Sequence, residues 1–257
     1  MPSALLYFLL AFGAVWLLER QAHRRLQQVF LLLTGHIDAA TLLYSFVLLP
    51  GVALHELSHA FVALLLGVKV RGFSLRMKRL PAGIIRLGYV EILRTDTLRT
   101  SLIGAAPLLA GIAALLIVGD QVFELHRITT ALATFNASAI TAQMLSIFSA
   151  KDAFFWIYVV FTIANGMMPS PSDTRAWPPV AAGCGAISGA LTLLVYAIGG
   201  APLLNQITAT AAAGDALRWL GSVLTLTAFI NAAVILMLSI VAVLLRRVTG
   251  RRTVFRR

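Results

Sequence analysis

Charge is what this chain has least of. Only 12% of its 257 residues are Asp, Glu, Lys or Arg, about half the share found in a soluble domain. So little charge cannot cover a water-facing surface, which excludes an ordinary soluble enzyme. Acidic side chains are the scarcer sign, 10 against 21 basic ones. There is one cysteine, Cys184, so no intramolecular disulfide framework exists. Its apolar surroundings predict a small buried side chain. No internal repeat stands out, and no polar stretch is long enough for a second globular domain.

What remains is apolar. The hydrophobic fraction is 59% and the mean hydropathy is +0.88. The chain is therefore read as an all-α polytopic membrane protein. Six segments have the character of spans, at Ala4–Leu18, Thr41–Leu66, Ser101–Gly119, Ala153–Met168, Val180–Ile198 and Gly221–Leu245. The first lacks a basic start and a small-residue cleavage site before Glu19, so it reads as a retained helix, not a signal peptide. Leu26–Gly35 is too short to span and is expected at the interface.

The net charge of +11 is assigned to the membrane rather than to nucleic acid. The basic residues cluster at Arg20–Arg25, Lys69–Arg99 and Arg246–Arg257, between or after apolar runs, as on cytoplasmic flanks. That rule places both termini and the segment Val68–Thr100 in the cytoplasm. It puts Gln121–Asp152 and Gly199–Trp219 outside. With six crossings, "ERQAHRRLQ" falls on the wrong side. One further crossing between Leu26 and Pro50 would make seven. Within Val68–Thr100, β-branched residues alternate around Pro81-Ala82-Gly83, with breaks at Gly72 and Gly88. This predicts a short β-rich segment, cytoplasmic or re-entrant.

One apolar run carries the chemistry. "LLPGVALHELSHAFVALLLGV", Leu48–Val68, holds His55, Glu56 and His59. Histidines at i and i+4 share a helix face and can converge on one ion. The adjacent Glu56 can reach a water there without being a ligand. This is the H-E-x-x-H pattern of zinc hydrolases, two ligands and a general base. Ionisable side chains in a spanning helix each cost about 2.5–3.5 kcal/mol on insertion scales, which marks them as functional. A catalytic zinc needs a third protein ligand. His23, His36 and His126 lie near charged, turn-like or loop stretches and read as surface histidines. Asp173, in "IANGMMPSPSDTRAWPP", follows an apolar helix broken at Pro169 and Pro171. On the residues alone it is either a ligand pointing back into the bundle or a helix cap paired with Arg175. Asn165 is likewise open, as an amide closing a helix–helix hydrogen bond or as a functional group.

"HELSH" followed much later by "NGMMPSPSD" resembles the site-2 protease family of intramembrane zinc metalloproteases. That family carries H-E-x-x-H in one spanning helix and an N-x-x-P…D-G motif in a later one. Asn165 and Asp173 stand at the family's separation. The sequence departs from it at Pro169, one position late, at Ser172 in place of a large apolar residue, and at Thr174 in place of Gly. "GAAPLLAG" is similar to the family's A-G-P-x-x-N stretch at Pro107, with Ala106 and Ala110 substituted. The resemblance covers about Val52–Trp177.

It implies a divergent metalloprotease. Zinc is held by His55, His59 and Asp173, Glu56 is the general base, and Asn165 contacts substrate backbone or oxyanion. An edge strand carrying Ile84, Ile85, Tyr89 and Val90 would receive an unwound, membrane-spanning protein substrate by strand addition. The whole chain then forms one integral-membrane domain. Residues 1–40 are an N-terminal helix and interfacial segment, 41–177 the metalloprotease core, and 178–257 two C-terminal helices and a basic tail. The competing readings are a zinc peptidase with a later Glu as third ligand, for which only Glu91 and Glu124 exist, and a non-proteolytic metal-binding scaffold or transporter. A scaffold has no need of Glu56, and a transporter needs more ionisable residues than the other spans contain.

Overall fold

The structure is a computed structural model that describes residues 2–76, 78–79, 85–86, 88–133, 137–197 and 211–251. Helices dominate it. In chain order they are α1 (Pro2–Thr34), α2 (Ile37–Leu65), α3 (Thr97–Phe123), α4 (Leu125–Ala133), α5 (Ala137–Ser146), α6 (Ala153–Gly166), α7 (Trp177–Ala197) and α8 (Ala211–Thr249). Four of them, α1, α2, α3 and α8, are long and apolar enough to cross a membrane. The bent pair α5–α6 makes a fifth span if its two arms, set at 107°, count as one. The chain is a helical membrane protein.

Several expected boundaries move. Leu26–Thr34 is not separate but the last part of α1, which runs unbroken for 33 residues. No proline interrupts α1 after Pro2, and its polar middle finds partners within the fold. The Tyr44 hydroxyl meets His23 Nδ1 at 2.6 Å, His23 Nε2 lies 3.5 Å from Glu19, and Arg20 stacks on Trp16. The expected external stretch Gln121–Asp152 contains helices α4 and α5. Cys184, expected to be buried, is exposed on α7.

α1 and α8 form the most extensive helix pair, and they run parallel. Near their starts, the Tyr7 hydroxyl is 2.8 Å from Thr225 Oγ1 and the Tyr7 ring packs on Gly221. At their ends, Arg251 donates to the Leu32 carbonyl at 3.0 Å. Two parallel helices that each cross a bilayer are separated by an odd number of crossings in total. Four long helices plus the bent pair give such a count. The start of α1 and the end of α8 lie at opposite ends of the pair, and the turn into α2 sits beside the end of α8. The basic tail after Arg251 lies outside the described residues.

Just past the end of α2, Gly67 has a left-handed φ of 70° that lets Val68 N–H close on the Ala63 carbonyl at 2.8 Å. β1 (Val70–Ser74) follows and pairs antiparallel with β4 (Tyr89–Ile92), setting Phe73 opposite Val90 and Ser74 opposite Tyr89. β2 (Lys78–Arg79) pairs with β3 (Ile85–Arg86) in a second hairpin. The described residues of this stretch thus form two short two-stranded sheets. α3 then starts under the Asp96 cap, whose Oδ1 accepts Arg99 N–H at 2.9 Å. That bond holds the Asp96 carboxyl below its ordinary pKa.

Candidate metal centre

Three helices and three close-packed glycines bring the chemistry together. α2 carries His55, Glu56 and His59. Asp173 stands in the turn after α6. α2 and α6 touch backbone to backbone: a Cβ on Gly166 would lie 2.6 Å from the Gly51 carbonyl carbon, and one on Gly51 would overlap the Thr162 carbonyl. α3 approaches in the same way, since a Cβ on Gly104 would overlap the Asp173 carbonyl. These contacts bring the Asp173 turn within reach of α2.

The ligand atoms converge. His55 Nε2 and His59 Nε2 are 3.2 Å apart. His59 Nε2 is 3.4 Å from Asp173 Oδ1, and His55 Nε2 is 3.6 Å from Asp173 Oδ2. A tetrahedral zinc with Zn–N and Zn–O bonds of about 2.0–2.2 Å separates its ligand atoms by about 3.3–3.6 Å. Each imidazole Nε2 faces a different Asp173 oxygen, and one ligand atom from each of the three residues lies within 4.8 Å of the others. Among the described residues, this is the group of His, Cys, Asp and Glu side chains suited to hold an ion.

The imidazoles are aimed by their other nitrogens. His55 Nδ1 donates to the Gly166 carbonyl at 2.7 Å and His59 Nδ1 donates to the Ile103 carbonyl at 2.8 Å. A carbonyl only accepts, so both Nδ1 atoms carry hydrogen and both Nε2 lone pairs can turn to a metal. Both carbonyls are available for a reason written in the sequence. Gly166 ends α6, where carbonyls lose their helical partners. Ile103 lies four residues before Pro107, which has no N–H to give it. Asp173 is held by Ser170 N–H, which donates to Oδ2 at 2.7 Å.

These groups line a cavity of about 440 Å³ together with Gly88, Tyr89, Val90, Ile92, Thr100, Ser170 and Ser172. Glu56 is buried beside the ligands and lies under Gly88, where a Cβ would come within 2.9 Å of its Cγ. Tyr89 and Val90 of the expected docking strand therefore reach the cavity wall. Ile85 sits in the other hairpin, β3, and Ile84 lies outside the described residues.

Asn165 does not reach the cavity. Its Nδ2 donates to the Phe161 carbonyl at 2.7 Å and to Asn231 Oδ1 at 2.9 Å, tying α6 to α8. Through Nδ2, Asn165 thus makes a helix–helix amide contact. Sequence reasoning missed Asn231, though a lone Asn inside the apolar run Gly221–Leu245 is a signal of this kind. His126 and His36 are exposed, and His23 belongs to the Glu19–Tyr44 cluster. No family model, curated protein or solved structure matches this chain.

Proposed function

We propose that the protein is an intramembrane zinc metalloprotease of the site-2 protease kind, hydrolysing peptide bonds of membrane-spanning protein substrates. The observation that carries this reading is the His55–His59–Asp173 triangle beside an acid, Glu56, which is not part of it. Two nitrogens and one carboxylate oxygen are a donor set that zinc favours. A zinc ion there supplies Lewis-acid activation of water and of the scissile carbonyl.

The chain's own residues do the rest. Glu56 takes the proton of the attacking water and passes it to the leaving amine. Burial under Gly88 keeps bulk water from the carboxylate. The wall of Tyr89 and Val90 offers β4 as the surface on which an unwound substrate segment lies extended. Unwinding is required because helical backbone satisfies its own hydrogen bonds. A metal-holding scaffold would use the same three ligands, but it gives Glu56 no task.

The deciding experiment measures metal content and cleavage of a single-span substrate in three forms of the full chain. The unsubstituted protein cleaves. Glu56→Gln keeps its metal and loses cleavage. Asp173→Ala loses both. Full metal occupancy in Asp173→Ala would remove that ligand, and undiminished cleavage by Glu56→Gln would remove the mechanism.

A further inference from the structure

The turn that carries Asp173 begins Pro169-Ser170-Pro171-Ser172. Prolines on either side of Ser170 fix the backbone there, since each ring locks its own φ and Pro171 also restricts the residue before it. Every polar group of Ser170 is then used inside the turn. Its carbonyl accepts the N–H groups of Asp173 and Thr174 at 3.0 and 3.2 Å. Its N–H donates to Asp173 Oδ2 at 2.7 Å, and its hydroxyl bonds the same carboxylate. The Ser170 and Ser172 Oγ atoms are 2.6 Å apart. A carboxylate only accepts, so the Ser170 hydrogen points to Asp173 and the Ser172 hydrogen points to Ser170. The order of donors is therefore fixed, from Ser172 to Ser170 to Asp173. A hydroxyl that accepts one hydrogen bond becomes a stronger donor of the next.

We infer that Ser170 is a positioning residue of the metal centre: it holds the Asp173 carboxylate by Oδ2, so that Oδ1 is the oxygen left to bind the ion, and Ser172 strengthens that hold from behind. This rests on the metal-holding part of the reading above and not on cleavage. Oδ1 lies 3.4 Å from His59 Nε2, while Oδ2 faces His55 Nε2 at 3.6 Å. A carboxylate free to turn there can give both oxygens to one ion and fill the position that a water needs. The charge-assisted bond from Ser170 N–H, backed by the hydroxyl, opposes that turn. Ligating carboxylates are commonly held in this way by a hydrogen-bonding partner behind them. Ser172, which stands where the family pattern has a large apolar residue, then contributes a hydrogen in place of bulk.

The test uses the full chain, stripped of metal and titrated with Co²⁺ against a chelator. The visible spectrum of the bound ion and a thermal melt of the metal-free protein are recorded alongside. Ser170→Ala removes the hydroxyl and keeps the N–H. It is expected to bind Co²⁺ about tenfold more weakly. Its visible bands should weaken as Asp173 turns to offer both oxygens and the coordination number rises, and its metal-free melt should not change. Ser170→Thr keeps the hydroxyl and should restore affinity and spectrum. Ser172→Ala should show a smaller loss of affinity in the same direction. The inference is overturned if Ser170→Ala binds Co²⁺ with unchanged affinity and spectrum. It is also overturned if affinity falls together with the metal-free melt and Ser170→Thr restores neither, which marks a serine that only holds the turn. If the unsubstituted chain binds no Co²⁺, the metal-centre reading fails and this inference falls with it. If the expected differences in Co²⁺ binding appear but the unsubstituted chain leaves a single-span substrate whole, the inference is supported and the protease reading alone is removed.

Discussion

Pro107 frees the carbonyl that orients His59. Its missing N–H leaves the Ile103 carbonyl without a helical partner, and His59 Nδ1 donates there at 2.8 Å. A proline inside α3 thus acts on a candidate metal ligand in α2. Pro107→Ala restores an N–H that competes for the same oxygen. The expected result is a helix that is no less stable, with metal affinity lowered by about 10–100-fold, the usual effect of losing an outer-shell partner. Chelator competition for zinc, run beside a thermal melt, measures both. Unchanged affinity would show that the Ile103 carbonyl does not orient His59.

The second prediction concerns the close approach of α3 to the Asp173 turn. A Cβ on Gly104 overlaps the Asp173 carbonyl, whereas one on Gly183 or Gly189 meets nothing within 4 Å. Gly104→Ala must push the ligand turn outward and should lose metal. Gly183→Ala and Gly189→Ala should keep it. Metal content normalised to folded protein reads the contrast, and equal retention by all three would mean that Asp173 does not depend on this contact.

Much of the site was legible in the sequence because it depends on spacing along a helix. His55, Glu56 and His59 need only the 3.6-residue period to converge. Asp173 needed the resemblance to stand out from Arg175 as a partner, and the structure places it 3.4 Å from His59. The glycine contacts and Asn231 were not legible, since each depends on which helices become neighbours. The same is true of the direction in which α1 and α8 pair. The count of basic residues cannot report that α1 and α8 run parallel, because that follows from tertiary contacts such as Tyr7 with Thr225. The continuity of Leu26–Thr34 with α1 was not legible either, because a length rule applied to one apolar run does not see the helix that precedes it.

The amide pair gives the third prediction. Asn165 and Asn231 are buried and bonded to each other. Asn231→Leu leaves Asn165 without that partner and should destabilise by about 1–3 kcal/mol. Replacing both by Leu should recover much of the loss, because no buried polar group is then stranded. Cleavage should survive in the double variant. If it folds and holds metal but does not cleave, Asn165 has a role in catalysis that its place between α6 and α8 does not explain.

β4 supplies the fourth. If substrate lies along this strand, its backbone must stay extended and paired with β1. Val90→Pro removes an N–H and breaks the pairing opposite Phe73. Cleavage should be lost while the metal, held by α2 and the Asp173 turn, stays bound. A variant that still cleaves at the unsubstituted rate rules out strand docking at this position.

The parallel pairing of α1 and α8 makes the fifth prediction, and it is the one most at odds with the charge distribution. Both ends of the contact are fixed by polar groups: Tyr7 with Thr225 at one, Arg251 with the Leu32 carbonyl at the other. Both helices exceed the roughly 20 residues a span requires. A reporter near Pro2 and one near Thr249 must therefore face opposite sides of the bilayer. Cys184 is exposed and must first be replaced by Ala. Single cysteines at Ser3 and at Val248, which is 84% exposed, can then be tested in sealed vesicles with an impermeant maleimide. One should react before the vesicles are opened and the other only after. Labelling of both from the same side would require an even number of crossings, and α1 and α8 would then have to run antiparallel.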